Sequence, residues 1–399
     1  MRVSLSPVRK PLTGDPGSHV AALLDKAGAR VFLGQKAAAD GLADPIRPTA
    51  DSLFGPRGAT LASPSGPLFV CDTGHHRLLI WNSAPALDRT PADILIGQRD
   101  FFSEGRNGKA EVNAASLNVP TGVAASDSVL AVADAWNHRV LIWHSYPAKS
   151  NQPADVVLGQ VDFKSALANR GRDVASADSL NWCYGVAIHN RALYVADTGN
   201  RRVLKWNCVP VSNGAAADLV LGETDFVTRD ENAGQSPDAT GMRWPHGIVV
   251  DRRGRLFVAD AGNNRIMVWN AMPNQNGAAC SFVLGQSDCR GVDHNQAAYY
   301  PTPAALNMPY GLAILGDRLI AADTANCRAV GYDLNSLQMN APASHLAGQP
   351  TWQDKGENGG WGLMRRNTLC WPYGVSVCGQ TLIIADSGNN RVLLWDGAP

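Results

Sequence analysis

Short apolar runs, punctuated by Gly, Asn and Asp, return along this chain at a fixed spacing. Six segments align without gaps: LFVCDTGHHRLLIWN, LAVADAWNHRVLIWH, LYVADTGNRRVLKWN, LFVADAGNNRIMVWN, LIAADTANCRAVGYD and LIIADSGNNRVLLWD. Their aspartates, Asp72, Asp134, Asp197, Asp260, Asp323 and Asp386, stand 62, 63, 63, 63 and 63 residues apart. Runs of this length, rich in Val, Ile and Leu, suit β-strands, and the intervening turn residues supply positive φ and side-chain-to-backbone bonds. Each unit therefore predicts a strand, a tight turn and a second strand. A third strand precedes them, starting at Gly58, Gly122, Gly185, Gly247, Gly311 or Gly374. A fourth follows and ends in a G-[QE] pair, as in DILIGQ, DLVLGE and SFVLGQ. Four short strands repeated six times predict an all-β, six-bladed β-propeller of four-stranded antiparallel blades.

The ends of the chain predict how the ring closes. The last unit stops after Trp395 with only DGAP remaining, so it lacks a fourth strand of its own. The orphan copy is RVFLGQ, Arg30 to Gln35, ahead of the first blade. Val31 to Gly34 is expected to pair as the outer strand of the last blade and leave no open ring edge. The chain then divides into an N-terminal arm, 1–30, and a single propeller, 31–399. Within the arm, SHVAALLDKAG reads as a short helix capped by Ser18 and ended near Gly28.

Five residues after each repeat aspartate comes an arginine: Arg77, Arg139, Arg202, Arg265, Arg328 and Arg391. Nine residues after it comes an aromatic: Trp81, Trp143, Trp206, Trp269, Tyr332 and Trp395. An active site occupies one place, whereas these residues occupy six, so they read as structural. The aspartate is expected to accept turn N–H groups, the arginine to reach a carboxylate or carbonyl, and the aromatics to pack between sheets. His75, His76 and His138 fall in the turns and read as surface residues rather than metal ligands.

The D-[TAS]-x-N-x-R-[VIL] core, as in DTGNRRV at Asp197 and DAGNNRI at Asp260, resembles the NHL-repeat family across all six units. Blade 1 departs with His75 in the Asn position, and blade 5 has Cys327 before its arginine. The resemblance implies the propeller fold; its function classes range over enzymes, RNA binders, interaction modules and sensors. It also implies that the strand-start motif opens the innermost strand at the top face, around the central channel. The residues before the six glycines, Arg57, Thr121, Tyr184, His246, Tyr310 and Tyr373, are then candidate binding residues at the channel mouth. Three residues before the glycine stand Gly55, Val119, Trp182, Trp244, Met308 and Trp371; the three tryptophans join the candidate set. Loops about 20 residues long, such as DFKSALANRGRDVASADSLN, should rise from the same face, where recognition usually resides.

Charge and composition narrow the function classes. Lys+Arg 35 against Asp+Glu 35 gives zero net charge, which opposes a general nucleic-acid or membrane-surface binder. No run approaches the roughly 18 apolar residues of a membrane helix, and no apolar stretch after the N-terminal basic residues reads as a secretory signal. The eight cysteines include no CxxC and read as reduced, mostly buried thiols, in keeping with the cytoplasm. Lyases and lactonases of propeller type gather histidines or carboxylates at the mouth, and here only His246 holds a varying position. The inner strands, GATLA, GVAAS, GVAIH, GIVVD, GLAIL and GVSVC, are almost wholly apolar. The sequence thus leans to a non-catalytic binding or scaffolding propeller, with no metal and no cofactor expected. Its alternatives are a metal-dependent lyase or hydrolase and an RNA-binding module. The expected partner is a protein or small ligand at the top face, a redox enzyme being one candidate, with the propeller itself monomeric.

Overall fold

Alternating strand and turn chemistry folds every repeat into its own sheet. The computed structural model describes residues 20–35 and 46–398. Blade 3 is typical: Cys183–His189, Ala192–Asp197, Arg202–Trp206 and Leu219–Leu221 form an antiparallel sheet in chain order. Blades 1, 2, 4 and 5 repeat this order, so the described residues form the expected six-bladed propeller. Strand starts, the turns after the aspartates and the long loops between blades all lie on one face. One detail differs from expectation. In five blades the inner strand starts two residues before its glycine, at Pro120, Cys183, Pro245, Pro309 or Pro372, and its register shifts there.

Blade 6 is completed as the chain ends predict. Val31–Gly34 pairs antiparallel with the last strand, Arg391–Asp396, in the register Val31 to Leu394 and Gly34 to Arg391. The helix expected over 18–28 is corrected for its described residues: Ala21–Ala22 is a strand, parallel to His345–Leu346 of blade 5. Its Ser18 cap lies outside the described residues. The neighbouring blades show why a strand wins over local helix propensity. In each, the free edge of the outermost strand is covered by a loop of the next blade. Asn151 N–H donates to Leu95 O, Gly214 N–H to Val157 O, Gly277 N–H to Val220 O, and Asn340 N–H to Val283 O. The closing strand is covered likewise, with Arg89 N–H donating to Phe32 O. At blade 5, Ala21–Ala22 fills that place.

The Asp–Arg pair is a buried clamp in all six blades. Arg202 Nε donates to Asp197 Oδ2 at 2.8 Å, its Nη1 to Phe226 O, and its Nη2 to Ser176 O and Ser179 O. The aspartate's second oxygen accepts Asn181 N–H, from the strand-start loop rather than from its own turn. The turn asparagine, Asn200, donates to Asp197 and exchanges bonds with Asn169 of the long loop. His75 takes the Asn role in blade 1. It is fully buried with Nδ1 2.8 Å from Asp72, so the surface reading is corrected. The long loops are thereby fixed to the sheets from inside. The six repeat aromatics are buried, and Trp81, Trp143, Trp206 and Trp269 each donate Nε1–H to a carbonyl nine residues on. Trp395 donates its Nε1–H to Asp25 O.

At the axis, six glycines let neighbouring backbones touch. A Cβ added at Gly185 would lie 1.9 Å from His246 O, one at Gly58 2.2 Å from Thr121 O, and one at Gly374 2.2 Å from Arg57 O. Gly122, Gly247 and Gly311 face Tyr184 O, Tyr310 O and Tyr373 O at 2.6–2.8 Å. The contact therefore runs once round the ring. Gly185→Ala should destabilise the protein by about 1–3 kcal/mol, because backbone rather than a mobile side chain must yield. Gly254→Ala, where nothing lies within 4 Å but φ is +78°, carries only the conformational penalty. A Gly185→Ala unfolding midpoint above that of Gly254→Ala would refute the contact argument.

Candidate functional site

Each axial glycine places the residue before it at the neck of the central channel. Arg57, Tyr184, Tyr310 and Tyr373 are half-buried there, and Thr121 and His246 are buried. The six do not stand apart as separate contact points; they pack on one another. Tyr184 and His246 stack at 5.2 Å, His246 and Tyr310 lie 4.4 Å apart, and Tyr310 and Tyr373 also 4.4 Å. The Arg57 guanidinium sits 4.9 Å from the Tyr373 ring and 5.9 Å from that of Tyr184. Thr121 closes the circle by donating to Tyr184 O at 3.0 Å. The mouth residues thus form a stacked aromatic plug with one cation set in it.

Burial sets the charge state of the plug. Burial pushes His246 down to about 4, opposed by its bond to Trp244 O and reinforced by Arg57, so the ring is neutral at pH 7. Its Nδ1 lies 2.9 Å from Trp244 O, to which it donates. Burial pushes the Tyr310 and Tyr373 hydroxyls up while Arg57 opposes it, so both stay protonated. Among the described residues Arg57 has no carboxylate partner, and it is the permanent charge of the ring. Below the plug runs a channel of about 340 Å³, walled by the inner strands with residues such as Val123, Ile188, Val250, Ile314 and Val377. No group of three or more His, Cys, Asp or Glu suited to a metal occurs among the described residues.

The exposed surface lies one step outward. Trp182, Trp244 and Trp371, three residues before their glycines, are 49, 42 and 42% exposed. Phe54 (43%) and Trp136 (52%) stand at neighbouring positions of blades 1 and 2. Sequence reasoning placed the three tryptophans here but missed Phe54, one position early in an irregular repeat, and Trp136, which looks like a turn residue. Gly55, Val119 and Met308 occupy the remaining three places and are half-buried.

The crown is held by bonds between blades that the sequence reading did not anticipate. In five of the six blades the residue just before the clamp arginine accepts the N–H of the crown position on the next blade. His76 Nδ1 accepts from Val119, His138 Nδ1 from Trp182, Asn264 from Met308, Cys327 Sγ from Trp371, and Asn390 from Gly55. All five donors have φ between +47° and +54°, a left-handed backbone that turns the N–H towards the neighbour. His76 and His138 are therefore half-buried acceptors, and burial lowers the pKa of both, to about 4 for His138. Blade 3 has Arg201 at this position, which has no acceptor to offer. Trp244 accordingly donates to Asp260 of its own blade at 3.3 Å and lacks the left-handed φ.

Comparison with known proteins agrees with this architecture. The family described as NHL repeat matches residues 242–269, which span the blade 4 crown, inner strand, turn and third strand. The NHL repeat-containing protein 2 of Bos taurus is 26% identical over 294 residues, covering 67% of this chain and 37% of that protein. Its Homo sapiens namesake is 25% identical over 201 residues, 47% of this chain and 25% of that protein. The chain thus matches well under half the length of these relatives. Among solved structures, Kuenenia stuttgartiensis hydrazine synthase superposes with a TM-score of 0.50 at 13% identity. The match covers 87% of this chain and 96% of the other, a likeness of fold.

Proposed function

We propose that this six-bladed propeller of NHL-type repeats is a non-catalytic binding scaffold that works through its top face. The observation that carries the reading is the crown of Phe54, Trp136, Trp182, Trp244 and Trp371, large aromatic side chains left half-exposed on one face. Exposed aromatics on a rigid frame are the residues that anchor protein interfaces. Arg57 sits within their circle without a carboxylate partner among the described residues and suits an anionic group on a protein segment or small ligand. Against an enzyme stands the fate of His246: it is buried, neutral and already engaged by Trp244 O. Zero net charge speaks against RNA. A place as an accessory subunit of a larger assembly, a redox enzyme among the candidates, follows from the same reading.

The test compares partner capture from the source lysate by the unaltered protein, Trp182→Ala, Trp244→Ala and the bottom-face control Arg253→Ala. Each crown truncation should weaken retention of the same partner about ten- to hundredfold, the loss of roughly 1–3 kcal/mol at a hot spot. Melting temperatures should stay within a few degrees of each other. Equal retention by all four proteins, or loss with the control alone, would place the working surface elsewhere. Tyr310→Ala is the poorer probe, since Tyr310 belongs to the plug and its truncation opens the stack.

A further inference from the structure

Four blades end their outermost strand in a buried glutamine that pins the loop after it. Gln98 Nε2 donates to His75 O, His76 O and Gly105 O at 3.2, 3.1 and 2.7 Å. Gln160 repeats this with Asn137, His138 and Leu167, Gln286 with Asn263, Asn264 and Asp293, and Gln349 with Asn326, Cys327 and Gly356. The acceptors are always two turn carbonyls and one carbonyl seven residues on. Blade 3 carries Glu223 at this place, only 1% exposed. By register its counterpart carbonyls are those of Asn200, Arg201 and Asp230. An ionised carboxylate has no hydrogen to give them and would set its charge against three carbonyl oxygens. At the same junction Arg201 offers no blade-to-blade acceptor, though its Nη1 donates to Arg229 O of this loop at 3.3 Å.

We propose that blade 3 is fastened by a proton. The protonated carboxyl of Glu223 stands in for the sister amide, and loss of that proton unpins the rim loop 224–243 that leads into Trp244. In a Glu-for-Gln exchange the shape is kept and the hydrogen becomes optional. The charged groups acting on the carboxyl are Asp230 and Asp225 on its own loop, which favour the proton, and Arg202 on the adjoining strand, which opposes it; Thr228 hydrogen-bonds to it and also opposes it. Burial outweighs the two opposing groups and pushes Glu223 from 4.5 up to about 7. A raised value means the fastening is complete below about pH 4.5 and is lost as pH rises through about 7. The crown next to Trp244 would then be tight in mild acid and looser at and above neutrality, whatever it binds.

Amide hydrogen exchange across 224–243, corrected for the intrinsic effect of pH, reads this directly. In the unaltered protein, loop opening should rise about tenfold per pH unit between roughly 4.5 and 7 and then level off. Glu223→Gln restores the sister chemistry and should hold the loop closed with no such slope. The reciprocal Gln160→Glu should install the slope in 161–182, the loop of blade 2. A flat profile in the unaltered protein, or the same slope in Glu223→Gln, overturns the proposal. So does full protection at pH 8 on adding calcium or sodium chloride, because a cation would then be the fastening.

Discussion

Removing residues 1–35 should abolish the folded ring and drive the chain into aggregates. Leu23, Leu24, Val31 and Leu33 are each at most 2% exposed and pack into the cores of blades 5, 6 and 1. At about 1.5–3 kcal/mol for each buried side chain, their loss is on the order of 6–12 kcal/mol. That is comparable with the roughly 5–15 kcal/mol by which folded domains exceed their unfolded state. The truncation also strips the partner from Arg391–Asp396, leaving the apolar run VLLW on an open edge, and takes Asp25 O from Trp395. Size-exclusion chromatography and thermal melting check the outcome. A monomer with an unchanged melting temperature would show that the closing strand is dispensable.

Cutting one clamp should cost less than opening the ring but more than any surface change. Arg202→Ala leaves the Asp197 carboxylate buried without its charge partner and three loop carbonyls without a donor. Breaking a buried pair from one side costs about 3–5 kcal/mol. Arg202→Lys should recover little, since one ammonium cannot span four acceptors fixed by a planar fork. The exposed Arg191→Ala, by contrast, should stay within about 0.5 kcal/mol of the unaltered protein. Urea unfolding of the three variants provides the comparison. A loss below about 1 kcal/mol for Arg202→Ala would mean that the loop relaxes and water replaces the guanidinium.

The repeat made blade number, strand order and closure legible, because period and pattern report directly on local structure and on which copy is missing. What stayed hidden was decided by distance between repeats. Residues 20–28 carry the Ala, Leu and Lys of a helix, but the uncovered edge of blade 5 offers Ala21–Ala22 a strand's partners. His75 looked like a surface substitution because the sequence does not reveal that its sister asparagines point inward. The identities at the mouth were readable. Their mutual stacking was not, since it depends on how closely six glycine-bearing strands approach at the axis. Glu223 stood in plain view as the variant of a G-[QE] pair, yet only the three carbonyls around its sister amides give that one atom its meaning.

The covering of every outer strand changes how this molecule should come apart. In a linear repeat array each unit leans on two neighbours, the ends fray first, and unfolding can spread unit by unit. Here every blade leans on the next in a circle, so the array has periodic boundaries and no end unit from which to fray. Four outer strands are covered by the next blade along the chain, while Ala21–Ala22 on blade 5 and Val31–Gly34 in blade 6 are held by pairing between residues more than 320 positions apart. Heat or denaturant should therefore meet one cooperative unit, whereas a force applied across the two termini meets a ring clasped only by the non-covalent pairings of residues 21–34.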